Sequence, residues 1–420
     1  MRILHVVHAY PPSIGGCQRL VEQLSQRLVR SHGDEVTVFT TVARHTDHFV
    51  RDDGEALPAT TEERDGVTVR RFPVFNRLTR SRMLLASLSY RWRLPGHELF
   101  RTLLNGPIVF GLSGAVSRSG ADVVMASAFP LLHMYAAVRG ARRAGVPCVL
   151  LGALHVEDEW NYGREMIFSA IRRADAYLAL TEFERRHVIA RGAAAERVWV
   201  VGGGVELPGA RSEEATARLP LAPGDGPVVT MLAKHVGRKR FDVLIRAMEL
   251  VWKEASEARL VVAGASTSYT QEIETMLAEL GNRRGQAHLL CDLEETEKNA
   301  LLAASDVLVL PSAVDSFGLV FLEAWAHGKP VVGIAADAIA SVIDDGENGL
   351  LVAYEDPDEL ARAILRLLDD PGLRRRMGEH GRAKVERSYT WELVTRKVRA
   401  VYDNAIRHRW RDRASEDDGR

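Results

Sequence analysis

Short apolar runs alternate along this chain with longer stretches whose apolar positions recur every three or four residues. In the first half, the runs at residues 2–7, 36–41, 67–72, 122–125, 148–151, 177–180 and 198–201 read as buried strands. A helical pattern over residues 18–29 separates the first two, and several later runs also follow helical segments. After Glu206 the chain reads LPGARSEEATARLPLAPGDGP, rich in proline, glycine, alanine and charge, which predicts a linker. The rhythm then restarts, with strands expected at residues 228–232, 260–263, 288–290, 307–310, 330–332 and 350–352. Helices are expected between them over residues 241–254, 269–280, 295–303 and 319–327, and a last one over 391–407.

Strand–helix alternation of this kind predicts an α/β protein with mostly parallel sheets covered by helices on both faces. At 420 residues the chain fits two such domains. The expected division is 1–207, a linker at 208–227, a second domain at 228–388, and a helix at 389–408 packing back towards the first domain. The charged tail 409–420 is expected to be disordered. Two tandem domains of this type would face each other across a cleft, with ligands beyond the carboxyl ends of their strands.

Composition narrows the class. Apolar residues make up 46% and charged residues 26%, as in soluble globular proteins. A net charge of −1 gives no footprint for nucleic acid. Cys17, Cys148 and Cys291 are odd in number and lack metal-ligand spacing, so reduced thiols in a cytoplasmic protein are expected. The opening MRILHVVHAYPP reads as a first strand instead of a signal peptide, and no stretch is apolar for long enough to span a membrane. Residues 77–104 stand apart, mixing arginines with Met83, Leu84, Leu85, Tyr90, Trp92 and Phe100. A pair of helices with snorkelling arginines, covering an acceptor site or a partner surface, is favoured there. Peripheral contact with the inner membrane surface is the alternative.

Candidate chemistry concentrates in DSFGLVFLE, residues 315–323. Asp315 lies in a loop, Gly318 marks a helix start, and Glu323 falls about a turn inside that helix. Backbone N–H groups at such a start, with the positive end of the dipole, attract phosphate oxygens. Helical residues 318 to 323 advance by about 7.5 Å, so the two carboxylates could hold hydroxyls at both ends of a phosphate-linked ligand. On the residues alone, a buried strand–turn–helix with two incidental acids remains open. A second cluster, AKHVGRKRFDVLI, sets Lys234 and Lys239 after a buried strand and before a helix, with Arg238 and Arg240 expected to face solvent. Gly15 and Gly16 lie between the first strand and first helix, where amides can meet a phosphate or simply form a turn. His155 follows a buried strand, and Glu157, Asp158 and Glu159 after it read as a helix start. Asp356-Pro357-Asp358 also reads as a helix start instead of a metal site. No phosphate loop of the ATPase type occurs, and no nucleophile–base pair stands out.

Four stretches in order, ILHVVHAYPPSIGGCQRLVEQLSQRL, VWVVGGGVE, AKHVGRKRFDVLI and DSFGLVFLE, resemble the family 4 glycosyltransferases. The resemblance covers Met1 to about Arg407 and implies the GT-B fold of two Rossmann-like domains. It implies retaining transfer of a hexose or amino-hexose from a nucleoside diphosphate sugar, with uridine diphosphate first and guanosine diphosphate second. The acceptor would be a hydroxyl of a small molecule, a lipid-linked sugar or a polysaccharide end, bound by loops around 44–64, 75–107 and 155–164. Front-face transfer, with leaving phosphate helping to deprotonate the acceptor, is the family's usual description.

The same resemblance assigns roles. Lys234 and Lys239 would neutralise the leaving diphosphate, and Ser316, Phe317, Gly318 and Leu319 would offer it backbone N–H groups. Glu323 would take the ribose hydroxyls and Asp315 the donor sugar, with Gly15 and Gly16 against the donor and His155 beside the transferred sugar. His155, Asp315 and Lys239 are the expected catalytic residues. The donor is a substrate, no cofactor is tightly bound, and metal independence is expected. Three positions depart from the family: Asp315 replaces the usual glutamate, Lys234 the usual arginine, and Arg240 the usual glycine. They bear on donor specificity more than on class. A GT-B-like epimerase or phosphorylase, and a non-catalytic two-lobed binding protein, are the alternatives.

Overall fold

The computed structural model describes residues 1–13, 15–44, 46–50, 56–209, 212–221, 224, 226–312 and 314–417. The chain forms two compact units, one built from Met1–Gly203 with Trp391–Arg420, the other from Gly204–Thr390.

The first unit is an α/β layer around strands β1 (Arg2–Val7), β2 (Glu35–Thr41), β3 (Thr61–Arg64), β4 (Val67–Phe72), β5 (Val123–Ser127), β6 (Cys148–Leu151), β7 (Ala176–Ala179) and β8 (Val198–Val200). They lie in the order β3-β4-β2-β1-β5-β6-β7-β8. Every pairing is parallel except β3 with β4. Continuous apolar runs suit strands covered on both faces, and all of β5, β6 and β7 is buried. The edge strand β3, Thr-Glu-Glu-Arg, is exposed throughout and carries no apolar period, so nothing in the sequence predicted it.

The helix Gly16–His32 buries Leu20, Val21, Leu24 and Leu28 and ends at Gly33 in the left-handed region. The C-terminal helix Trp391–Asp417 packs on it, burying Trp391, Val394, Val398, Val401, Tyr402 and Ala405. Asp34, almost fully buried, takes both the N-terminal ammonium at 2.8 Å and the Arg399 guanidinium at 2.9 Å. His5 on β1 is held between Ser25 Oγ at 2.8 Å and the Tyr402 hydroxyl at 3.0 Å. The helix runs past the expected end and through most of the tail read as disordered; its arginines, alanine and glutamate are strong helix formers. Residues 418–420 of that tail lie outside the described residues.

Residues 77–104 form the helices Thr79–Arg91 and His97–Asn105, packed on each other. Two of their arginines do not snorkel. Arg82 turns inward to the carbonyls of Phe49 and Leu103 at 3.1 and 3.2 Å. Arg101 is buried with its guanidinium over the rings of Trp160 and Tyr90.

The second unit contains β9 (Val228–Leu232), β10 (Arg259–Gly264), β11 (Ala287–Cys291), β12 (Val307–Leu310), β13 (Val331–Ile334) and β14 (Gly349–Val352). Their order, β11-β10-β9-β12-β13-β14, is all parallel and is the doubly wound Rossmann order. The stretch expected as a linker contains the helix Glu213–Ala217, capped by Ser212. Its Ala215 and the following Leu219 are buried against Val228, Val261 and Leu301, so apolar burial draws this segment into the second unit. Residues 210, 211, 222, 223 and 225 of that stretch lie outside the described residues. Among the described residues, no helix is long and apolar enough to cross a membrane.

Three buried histidines make the first unit sensitive to acid. Burial pushes His5 and His8 down to about 3 and His133 down to about 4. Unfolded, each would take a proton near pH 6.5, while the folded chain resists it. Their contribution is therefore complete above about pH 6.5 and is lost as pH falls towards the folded values, by up to about 1.4 kcal/mol per pH unit per histidine. Thermal unfolding followed from about pH 7.5 to about pH 5.5 should show a falling transition temperature; a flat profile would contradict the neutral, buried state.

Candidate functional site

In the second unit the strand order reverses between β9 and β12, and the loops leaving their carboxyl ends diverge there. The loop after β9 carries Lys234, turns through a short 3-10 segment at Gly237–Lys239, and passes Arg240 in the left-handed region before the helix Phe241–Glu254. The loop after β12 carries Ser312 and Asp315 and enters the helix Leu319–Ala326 through Gly318; Ala313 within it lies outside the described residues. The two loops are tied together. Lys239 Nζ lies 2.6 Å from Asp315 Oδ1 and 2.7 Å from Oδ2, and Ser312 Oγ donates to the Arg238 carbonyl at 3.3 Å. Side-chain exposures of 12% and 16% for Lys239 and Asp315 leave the pair largely buried but open to solvent at one side.

Gly318 has φ 78° and ψ 58°, and a Cβ there would come within 2.6 Å of the Phe321 ring. Both the left-handed backbone and the close approach call for glycine. Phe317 buries its ring edge-on to Tyr389, while Ser316 and Leu319 are half-buried beside it. The helix start thus has an apolar anchor behind a polar backbone end. One turn on, Glu323 Oε1 accepts from Lys298 Nζ at 2.7 Å.

Lys298 had no signal in the sequence. It lies on the helix Glu295–Ala304 in an acidic run, where it also pairs with Glu295, and it meets Glu323 of the helix Leu319–Ala326 only in the folded unit. Arg240, expected to face solvent, instead bonds Asp242 through Nε and Nη2 and reaches the Tyr354 hydroxyl and Glu355 through Nη1. The hydrogen bonds to Asp242 raise its pKa further. Lys234 and Arg238 are exposed. Asp356 accepts from the Glu359 N–H at 2.8 Å with Pro357 in the first turn, a helix cap.

The first unit has its own reversal between β1 and β5. Gly15 is the N-cap of the helix that begins at Gly16; its φ of 167° is extended backbone. Beside this turn, Gln18 Nε2 meets His8 Nε2 at 3.1 Å, and the His8 ring lies 5.9 Å from that of His133. His133 Nε2 must carry its hydrogen to donate to the Ser127 carbonyl at 2.7 Å. Cys17 Sγ sits 3.0 Å from Ser127 Oγ, and burial pushes its thiol up to about 11, so it is not a reactive thiolate. His8 and His133 went unrecognised because they meet only when β1 and β5 pair.

His155 is half-buried in the turn after β6, edge-on to the Tyr162 ring at 5.4 Å. Its turn is fixed by Glu184, a buried carboxylate that accepts from Leu154 N at 3.1 Å, Leu180 N at 2.7 Å and the Tyr177 hydroxyl at 2.6 Å. Burial raises the Glu184 pKa, while those donors pull it down. At Gly152 an added Cβ would lie 1.7 Å from the same hydroxyl, so only glycine fits. Asp158 caps the short helix Glu159–Tyr162 through the Asn161 N–H.

Two Rossmann-like units of this design define the GT-B class. Residues 15–204 match the glycosyl transferase 4-like domain, and residues 213–384 match glycosyl transferases group 1. The D-inositol 3-phosphate glycosyltransferase of Kribbella flavida is 30% identical over 413 residues, 93% of this chain and 91% of that protein. The crystal structure of HepE from Anabaena with UDP and glucose, 17% identical, superposes with a TM-score of 0.69 over 96% of this chain and 100% of that one. Sucrose-phosphate synthase from Thermosynechococcus elongatus, 19% identical, gives 0.71 over 97% and 100%. These two structures share the fold. The chain belongs to the family 4 glycosyltransferases.

Glu184→Ala leaves two buried N–H groups and a buried phenol without their acceptor, which should cost about 3 kcal/mol or more. Denaturant unfolding measures it, and an unchanged midpoint would show that the turn before His155 does not depend on this carboxylate.

Proposed function

We propose that this chain is a retaining glycosyltransferase that moves a hexose or amino-hexose from a nucleoside diphosphate sugar to an acceptor hydroxyl. The observation that carries the reading is the Lys239–Asp315 pair, set at the strand-order reversal in one loop with the Gly318 helix start. Uridine diphosphate is the preferred nucleotide and guanosine diphosphate the second. HepE, which shares the fold, was solved with UDP and glucose, and that supports the order.

In the proposed reaction the bond from the anomeric carbon to the diphosphate breaks, and the acceptor oxygen bonds that carbon on the same face. The acceptor proton passes to an oxygen of the leaving phosphate. Negative charge grows on the diphosphate, and Lys239, with three N–H donors on its ammonium, meets it beside the backbone N–H groups of Ser316, Phe317, Gly318 and Leu319. Lys234 adds a more exposed charge at the same loop. This assigns charge compensation to side chains and backbone, with no metal ion. Asp315, steadied by Lys239, accepts from donor-sugar hydroxyls, and Glu323, steadied by Lys298, accepts from the ribose. Gly15 and Gly16 contribute amides to the donor, and His155 bonds a hydroxyl of the transferred sugar. The relative named a D-inositol 3-phosphate glycosyltransferase makes a phosphorylated cyclitol the first acceptor to try, ahead of lipid-linked and polysaccharide acceptors.

Calorimetry with uridine, guanosine, adenosine and thymidine diphosphate sugars tests the donor. A folded protein that binds none of them would sink the reading, and isomerised donor without transfer would favour an epimerase. Lys239→Ala and Glu323→Ala should each weaken donor binding roughly 10- to 100-fold, the scale of a hydrogen bond to a charged group. Equal affinity in both variants would remove their roles. His155→Ala should lower kcat while donor Kd stays close to that of the parent; full turnover would make His155 a structural residue.

A further inference from the structure

The helix Thr79–Arg91 is built inside out. Its inward positions are Arg82, Ala86 and Ser89, spaced to share one helix face. Its outward positions include Met83, Leu84 and Leu85, each at least half exposed. A surface helix of a globular protein normally does the reverse, with its apolar stripe on the core. The inverted pattern continues past the helix end, where Trp92 is 65% exposed. The helix cannot roll over to hide these side chains, because Arg82 is locked inward by the carbonyls of Phe49 and Leu103.

Charge within this segment is one-sided. Residues 77–96 carry five arginines and no Asp or Glu. With Arg82 buried, Arg77, Arg80, Arg91 and Arg93 are exposed among the apolar side chains. Two of the carboxylates that follow are committed elsewhere. Glu98 caps the helix Glu165–Arg173 through the N–H groups of Glu165 and Met166, and Asp158 holds Asn161. Leucine and methionine side chains, an exposed tryptophan and exposed arginines with no acid in the same segment are what the boundary of an anionic bilayer accommodates.

We infer that the face formed by residues 77–95 is a docking surface for an anionic lipid bilayer. The apolar side chains enter the acyl boundary, Trp92 sits at headgroup depth, and the four exposed arginines meet lipid phosphates. The binding is peripheral and salt-sensitive, since a few arginines and one short helix supply it. It stands apart from the donor chemistry and holds whichever sugar is transferred.

Flotation of the full chain tests it, using phosphatidylcholine vesicles with and without about one third phosphatidylglycerol at low and high salt. The chain should float with the anionic vesicles only, and less at high salt. Arg80→Ala with Arg91→Ala should lower partitioning roughly 30-fold, at about 1 kcal/mol per arginine near the surface. Leu84→Ser with Leu85→Ser should lower it by about tenfold or more. Arg118→Ala, an exposed arginine outside the segment, should float like the parent. Melting transitions matching the parent show that the variants fold. Equal recovery with neutral vesicles, no flotation, or patch variants that float like the parent would overturn the inference. So would sedimentation showing self-association that Leu84→Ser with Leu85→Ser abolishes in a protein that does not float, which would give the face to a second copy of the chain.

Discussion

Parallel strands cannot be joined by a tight hairpin; each return runs through a crossover, here mostly helical, so successive loops leave the carboxyl ends of the strands together. In each unit the order of strands reverses once beside the first strand, and two neighbouring loops are driven apart there. Everything chemical in the second unit follows from that reversal. It sets the basic loop after β9 opposite the acidic loop after β12, and it points a helix start into the gap. In the first unit it brings the turn at Gly15 beside His8 and His133.

The ion pairs in the second unit are poor candidates for stabilising the fold. Lys239–Asp315 and Lys298–Glu323 are neither fully exposed nor fully buried, a regime in which desolvation and attraction nearly cancel. Their physical effect is to fix two carboxylates and two ammonium groups in place. Groups held in advance of a ligand lose little freedom when it arrives. Glu184 does the same at a distance for the turn that carries His155, with backbone N–H groups in place of lysine.

How much of this could be read in the sequence depended on whether the signal was local. Runs such as Val307–Leu310 and helices such as Phe241–Glu254 were legible because burial on both faces, or on one stripe, leaves a period in the residues themselves. β3 was not, since four polar residues become a strand only through pairing with β4. The short helix Glu213–Ala217 hid in a stretch whose composition resembled a connector. Lys239, Asp315, Gly318 and Glu323 were singled out by motif spacing and family resemblance. Lys298, Glu184, His8 and His133 escaped because their partners arrive from other elements. Arg240 was read as solvent-facing for the same reason, its contacts with Tyr354 and Glu355 lying more than a hundred residues along the chain.

The C-terminal helix belongs to the first unit although the whole second unit separates it from the rest of that unit in sequence. Its contacts join residues far apart in the chain: His5 to Tyr402 across 397 positions, and Asp34 to Arg399 across 365. During synthesis the amino-terminal portion therefore emerges without the helix that packs on Gly16–His32 and bonds the buried His5. The second unit, continuous in sequence, is free to fold first, reversing the usual order in which the amino-terminal domain folds ahead of the rest. Until that helix has emerged, a strip of the first unit's apolar surface stays open, and deleting Trp391–Asp417 would unsettle β1 and the helix Gly16–His32.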